Sequence, residues 1–372
     1  MNLKTYDYIL PKSNLALTPT VPRDSSRLFV YDTKTDEIVF DHFYNLDRYL
    51  PKNSFLVLNN TKVLPARVEM KKENGGKVII LFLVNTPSGR EESIQAMADR
   101  KINVGEKLFF PNGEFVKAIS QDEHIFVLEY SFSKAKLFQI LEKYGNMPIP
   151  LYLKKTPLKR DELIEKYQTI FARAPVGARF ASSAAPTASL HFTDRVFEKL
   201  DEKGIKRYFI TLHVGLGTFA PLTEENLTEK KLHEEYYEIL EESLHYINIM
   251  KSKGKKLVAV GTTVTRTLES AYKNFVTRES HRFAVPSKVK NFHTSPPHSV
   301  FDKTDLFIFP PYDFKMVDVL ITNFHLPKSS LMMLVEAFLQ FKKSKRSLVD
   351  LYNVAIRENF RFYSFGDAML IL

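Results

Sequence analysis

The chain has 372 residues, enough for two or three domains, and its 44% hydrophobic and 26% charged residues are the balance of an ordinary globular protein. It has no cysteine, which excludes disulfides, thiolate metal sites, iron–sulfur clusters and cysteine nucleophiles and leaves any chemistry to oxygen and nitrogen groups. A formal charge of +10 favours a polyanionic partner, because clustered Lys and Arg gain affinity by releasing phosphate counterions.

The N-terminal stretch "MNLKTYDYILPKSNLALTPT" is polar where a signal peptide has its apolar centre, and no segment reaches the ~18–20 apolar residues of a membrane span, so a cytoplasmic protein without membrane contact is expected. "RLFVYD", "EIVF" and "SFLVLN" then read as three short strands bounded by turn residues. From Val63 the rhythm tightens into "VLPARVEM", "KVIILFLV", "SIQAMA", "EKLFF", "EFVKAI" and "HIFVLEY", punctuated by "ENGG" and "PNGE". Six closely spaced strands of this kind predict a small antiparallel β-barrel inserted after the third strand.

"SKAKLFQILEKYG" predicts a helix closing on Gly145, and "NMPIPLYLKKTP" a proline-stiffened linker. Beyond it "TDRVFEKLDEKG" is an N-capped helix, "IKRYFITL" a strand, "ESLHYINIMKSKG" a helix, "KLVAVG" a buried strand and "TTVTRTLESAYK" another helix. That alternation implies an α/β main domain with a mostly parallel sheet, whose loops gather ligands at the strand carboxyl ends. The expected division is 1–62 with 154–372 for the main, catalytic domain and 63–153 for the barrel. Residues 274–303, rich in Lys, Arg, His, Pro and Ser, read as a surface loop; two helices and a last strand, "DAMLIL", close the chain.

Three junctions share one design, an apolar strand ending in polar residues before a helix: "LHVGLGTFAP", "VAVGTTVTRTLES" and "LITNFHLPKSS". Helix N-termini present unpaired amides, so such turns can hold anions; each alone is more often an ordinary cap, and it is the three together that point to a site. Familiar signatures fail. "HEEYY" has Tyr237 where a zinc-protease helix needs its second His, "GLGT" lacks the third glycine of a dinucleotide fingerprint, and no Walker motif occurs, so no metal site is expected.

Taken in order, "DSSRLFVYD", "LVLNNTKVLPAR", "YQTIFAR", "AAPTASLHFT", "TLHVGLGTF", "HEEYYEI", "AVGTTVTRTLES", "FKMVDVLITNFHLPKSSLMMLVEAF" and "RFYSFGDAMLIL" span nearly the whole chain. The set resembles the S-adenosylmethionine:tRNA ribosyltransferase-isomerases of queuosine biosynthesis. That resemblance implies an α/β domain carrying a barrel insert. It also implies transfer of the ribosyl part of S-adenosylmethionine to 7-aminomethyl-7-deazaguanine at the tRNA wobble position, giving epoxyqueuosine, adenine and methionine. S-adenosylmethionine would be a co-substrate, with no tightly bound cofactor; the oligomeric state stays open, a monomer being favoured. Two departures stand out: Ser189 occupies a position where the family usually has glycine, and "ARAPVGARFASSAA" and the 274–303 loop are long.

Such a reaction needs a base beside the ribose carbon that the sulfonium acidifies, and a donor for departing adenine. His191, His213 and His325 lie in three of the matched motifs and are the catalytic candidates, because imidazole titrates nearest neutral pH. His325 leads, with Thr322 and Asn323 expected to orient it and Lys328 to lower its pKa; His233 is a weaker candidate and a substrate contact. Arg266 is expected to bind the methionine carboxylate or a phosphate, Arg27 and Arg67 further anions, and Asp24 and Asp318 the donor edges of the deazaguanine or its ammonium, with a structural ion pair as the competing role for each Asp. Asn59, Thr61, Thr187, Gly215, Gly217, Thr218, Thr262 and Thr263 complete the expected substrate contacts in these motifs. The rivals are an S-adenosylmethionine-dependent RNA methyltransferase, which would need a glycine-rich loop after its first strand, and a non-catalytic tRNA-binding protein, which would not need the crowding of His, Arg and Asn at one loop edge.

Overall fold

A computed structural model describes residues 2–85, 92–173, 181–215, 222–272, 275 and 299–372. The chain divides into two compact units: Met1–Asn60, Pro186–Leu212 and Ala220–Leu372 form the first, and Thr61–Ala185 with His213–Phe219 form the second.

The first unit opens with β1 (Arg27–Asp32), β2 (Glu37–His42) and β3 (Ser54–Asn59). The second supplies β4 (Arg67–Lys72), β5 (Lys77–Phe82), β6 (Ser93–Ala98), β7 (Lys107–Phe109), β8 (Phe115–Asp122) and β9 (Ile125–Glu129), then α1 (Lys134–Tyr144) and α2 (Arg160–Lys166). The first unit resumes with α3 (Asp194–Glu202), β10 (Arg207–Leu212), α4 (Glu224–Glu229), β11 (Lys231–Leu240), α5 (Glu241–Ser252), β12 (Lys256–Val260) and α6 (Thr262–Ser270). It ends with β13 (Ser299–Leu306), β14 (Val319–Asn323), α7 (Ser330–Phe341), α8 (Leu348–Arg357) and β15 (Ala368–Ile371).

The first unit is built on a nine-stranded sheet in the order β13-β11-β10-β3-β12-β14-β15-β1-β2. At its centre β10, β3, β12 and β14 run parallel, as the alternation of strands and helices implies. Both flanks are antiparallel: β11 and β13 beyond β10, and β15 against β14. β3, with Phe55, Leu56, Val57 and Leu58 all fully buried, and β12 read as continuous apolar runs because both their faces are buried. β15 pairs with β14 on one side and, in parallel, with β1 on the other, so the start of β1 and the start of β15 lie at the carboxyl edge of β14.

In the second unit all six expected strands close into a barrel in the order β4-β5-β6-β9-β8-β7. Alternate residues such as Val68, Met70, Ile80, Phe82, Ala96, Val116 and Leu128 turn inward, and α1 seats Leu137, Ile140 and Leu141 against the same core. Ser133 caps α1 at Lys136, and Gly145 follows its last turn.

The boundaries differ from the sequence reading, and the second unit also takes in His213–Phe219. The compact second unit runs on to Ala185 instead of ending at 153, because the chain after α2 is stitched back onto its start: the Gln168 amide brackets Val63 through both its N–H and its carbonyl at 3.0 Å, Thr61 pairs with Arg173, and Val63 with Ser182. The expected 274–303 loop gives up its end to β13, which pairs antiparallel with β11; residues 276–298 lie outside the described residues.

Candidate active site

The carboxyl edge of β14 gathers a buried polar network within the first unit. Asn323 is its last strand residue, and the Asn323 amide nitrogen stands 3.3 Å from His191 Nε2 and 3.4 Å from the Tyr363 carbonyl oxygen. His191 follows the 3-10 turn Thr187–Ser189, which packs against β14. Its Nδ1 is 2.8 Å from Ser26 Oγ, at the start of β1. With the amide nitrogen donating to Nε2, the ring is the neutral tautomer protonated on Nδ1 and donating to Ser26. Burial pushes the imidazole down to about 3, with Arg361 and Arg23 adding to the effect, so it is neutral at physiological pH.

His325 lies two residues further on. Its Nε2 is 3.4 Å from Thr322 Oγ1 and its Nδ1 3.4 Å from Tyr352 Oη, while its backbone N–H donates to that same Tyr352 oxygen at 3.0 Å. Tyr8 donates to the His325 carbonyl and hydrogen-bonds Tyr363 through the hydroxyls. Burial alone lowers this imidazole to about 3. Tyr363 therefore touches both halves of the network, and it does so with a left-handed backbone, φ 72°, unusual for a bulky residue and a mark of functional sites.

Next to this edge, β12 delivers the head of α6. Gly261 donates its N–H to Ile321 and takes φ 96°, a conformation that costs glycine nothing; it leaves the first amides of α6 without a side-chain cap. Thr262 is buried and Thr263 half-buried there, and a Cβ on Gly261 would stand 3.5 Å from Ala188 of the 3-10 turn. Thr187 is half-buried on that turn. Ser189 sits in it with an ordinary negative φ, so the strain that a serine in place of glycine could have caused does not arise.

Several expected contacts have other roles. Asn323 orients His191 rather than His325. Lys328 pairs with Asp7 at 2.8 Å instead of shifting His325. Arg266, expected to bind a substrate anion, is closed by burial at the fifth position of α6 on Glu235 at 2.5 Å and on the carbonyls of His233, Thr304 and Leu306, which fixes α6 to β11 and β13. Asp318 lies before β14, at the opposite end of the strand from Asn323, and is held by Lys251, Lys256 and the Leu257 N–H. Asp24 is closed by a two-pronged pair with Arg195 and by Thr193. Arg27 lies over the Phe360 ring at 3.9 Å and donates to the Glu358 carbonyl. Asn59 turns both ends of its amide to the backbone of Leu212, and the His233 imidazole is exposed on β11.

In the second unit Thr61 is 2.7 Å from Ser182 Oγ, the oxygen that also accepts the Val214 N–H, so it too is tied into the fold. His213 and Gly215 follow β10 into this unit; burial, with Lys134, lowers the imidazole of His213 to about 4. Arg67 Nε is buried without a hydrogen-bond partner. Gly217 and Thr218 lie outside the described residues. Among the described residues no group of three or more His, Asp or Glu is arranged to hold a metal ion.

Ser26, Tyr8, Tyr352 and Tyr363 are network members that the sequence reading did not single out, although Ser26 and Tyr363 fall inside two of the quoted motifs, "DSSRLFVYD" and "RFYSFGDAMLIL".

A family model described as queuosine biosynthesis protein matches residues 3–371. The chain belongs to this family. An S-adenosylmethionine:tRNA ribosyltransferase-isomerase of Carboxydothermus hydrogenoformans is 42% identical over 374 residues, and one of Staphylococcus aureus 39% over 377, each alignment covering 100% of both chains. A crystal structure of an S-adenosylmethionine tRNA ribosyltransferase from Thermotoga maritima shares 30% identity with a TM-score of 0.51, covering 99% of each chain. The queuosine family's likeness thus extends through both units, barrel included.

Proposed function

We propose that this chain transfers and isomerises the ribosyl moiety of S-adenosylmethionine onto 7-aminomethyl-7-deazaguanine at the wobble position of tRNA. The products are epoxyqueuosine in the tRNA, adenine and methionine. It acts in the cytoplasm, where its tRNA is, with S-adenosylmethionine as co-substrate and no resident cofactor. Full-length likeness to relatives bearing that activity in their names supports the reaction. The observation that carries the chemistry is the neutral His191, held between Ser26 and Asn323 at the carboxyl edge of the parallel strands.

His191 is the base. Its Nε2 lone pair, released from the 3.3 Å contact with Asn323, takes the proton from the ribose carbon next to the sulfonium, while Nδ1–H donates to Ser26 and steadies the imidazolium that forms. His325, hemmed by Thr322 and Tyr352 and with its carbonyl tied to Tyr8, positions this edge of the site.

Incubation with labelled S-adenosylmethionine and precursor tRNA tests the reaction. Adenine and methionine should appear in equal amounts, one of each per modified tRNA, with the ribosyl carbons on the RNA. Stoichiometric S-adenosylhomocysteine with methyl label on the tRNA would overturn it in favour of methyl transfer.

A further inference from the structure

Asn323 is half used. Its amide nitrogen serves His191 and Tyr363, yet its Oδ1 is buried with no hydrogen-bond partner, in a residue only 2% exposed. Ser189, two residues before His191 on the turn that packs against β14, is 1% exposed and its Oγ is likewise buried without a partner. Buried oxygens of this kind cost stability unless something meets them, so a pair at one strand edge points to an absent ligand group.

Their chemistry narrows that group. Oδ1 can only accept and so calls for a donor, whereas Ser Oγ can meet a donor or an acceptor. No carboxylate is among the hydrogen-bond partners of Asn323 or His191, and an ammonium buried among neutral oxygens would lack a counter-charge. A neutral hydroxyl fits, and the hydroxyls of the co-substrate are on its sugar, the part on which His191 acts.

We propose that Asn323 Oδ1, with Ser189 Oγ, forms a subsite for a ribose hydroxyl of S-adenosylmethionine. The inference rests on the ribosyl-transfer reading above. Asn323 then serves both partners, since its amide orients the resting His191 ring through the nitrogen and meets the sugar through the oxygen.

The test is the affinity of S-adenosylmethionine against its 2′-deoxy and 3′-deoxy analogues, measured by calorimetry with unmodified tRNA present. In the natural protein one of the two analogues should bind about tenfold more weakly than the parent, the loss of one neutral hydrogen bond. Asn323→Leu should reduce that ratio to near one. Asn323→Asp keeps an acceptor and loses the nitrogen that orients His191, so it should keep the ratio while turnover falls. Should Asn323→Leu fail to fold, Ser189→Ala decides, with an expected drop in the ratio of at least threefold. A ratio near one in the natural protein, or one unchanged in Asn323→Leu or, if that variant does not fold, in Ser189→Ala, overturns the subsite. Failure of the reading itself looks different: the natural protein would release neither adenine nor methionine.

Discussion

The Asn323 amide nitrogen lies 3.3 Å from Nε2 of His191, across 132 residues of chain. That contact, with Ser26 on the other nitrogen, fixes which imidazole nitrogen carries the proton. His191→Ala should therefore lower turnover by ~10²–10⁴, the usual contribution of a general base. Ser26→Ala should cost about tenfold through loss of one hydrogen bond to the ring. Single-turnover adenine release measures both, and near-normal turnover in His191→Ala would move the base to His325 or His213.

His325 should behave differently. His325→Gln removes the ring from between Thr322 and Tyr352 but leaves His191 with both its partners, so the expected loss in turnover is below tenfold while the melting temperature falls. A loss beyond a hundredfold in a folded variant would make His325 the base.

Protonation of the two buried imidazoles has a definite sign. Their folded pKa values, about 3, lie below the unfolded value near 6.5, so the unfolded chain binds the extra protons as pH falls. Stability from this source is complete above about pH 6.5 and is lost progressively as pH falls toward 3, by about 1.4 kcal/mol per pH unit for each histidine. Denaturant midpoints between pH 7 and 4.5 should fall less steeply for His325→Gln than for the natural protein.

Arg266 is predicted to matter for folding and not for substrate affinity. Arg266→Ala removes a buried guanidinium from Glu235 and from the carbonyls of His233, Thr304 and Leu306, and should destabilise the first unit by about 3–5 kcal/mol. At a temperature where the variant remains folded, its KM for S-adenosylmethionine should stay within about twofold of normal. A rise of a hundredfold would return Arg266 to the substrate.

Binding to an anticodon stem-loop should weaken with salt, with a log–log slope of about −0.7 to −0.9 per phosphate contact, as counterion release requires. Titrations across a range of salt concentrations measure it, and a flat response would remove phosphate contacts from the account.

The barrel was legible because tight turns such as Asn74-Gly75 and Asn112-Gly113 mark its hairpins and alternation marks its faces. The parallel core was legible from its buried apolar runs. β11 was not, because its charges sit on the solvent side of a period-two pattern that a motif search reads as a polar cluster, and its partner β13 lies beyond a long polar stretch. The histidines could be picked from motif and chemistry, but their partners could not. Tyr8, Ser26, Tyr352 and Tyr363 reach them from segments distant in sequence, and a lone hydroxyl leaves no periodic trace. The partners of Arg266 were hidden for a related reason: a helix start looks open to ligand in sequence, yet its fifth residue faces two strands that only tertiary packing brings there.

β15 is only four residues, Ala368–Ile371, yet it lies between β14 and β1 and pairs with both. This single strand joins the amino-terminal pair β1 and β2 to the parallel core. Ser26 stands at one side of that strand and Asn323 at the other, so its register sets whether both can hold His191. A chain in which β15 loses its place would carry every histidine and still lack an assembled site, so the pairing of this one strand governs activity.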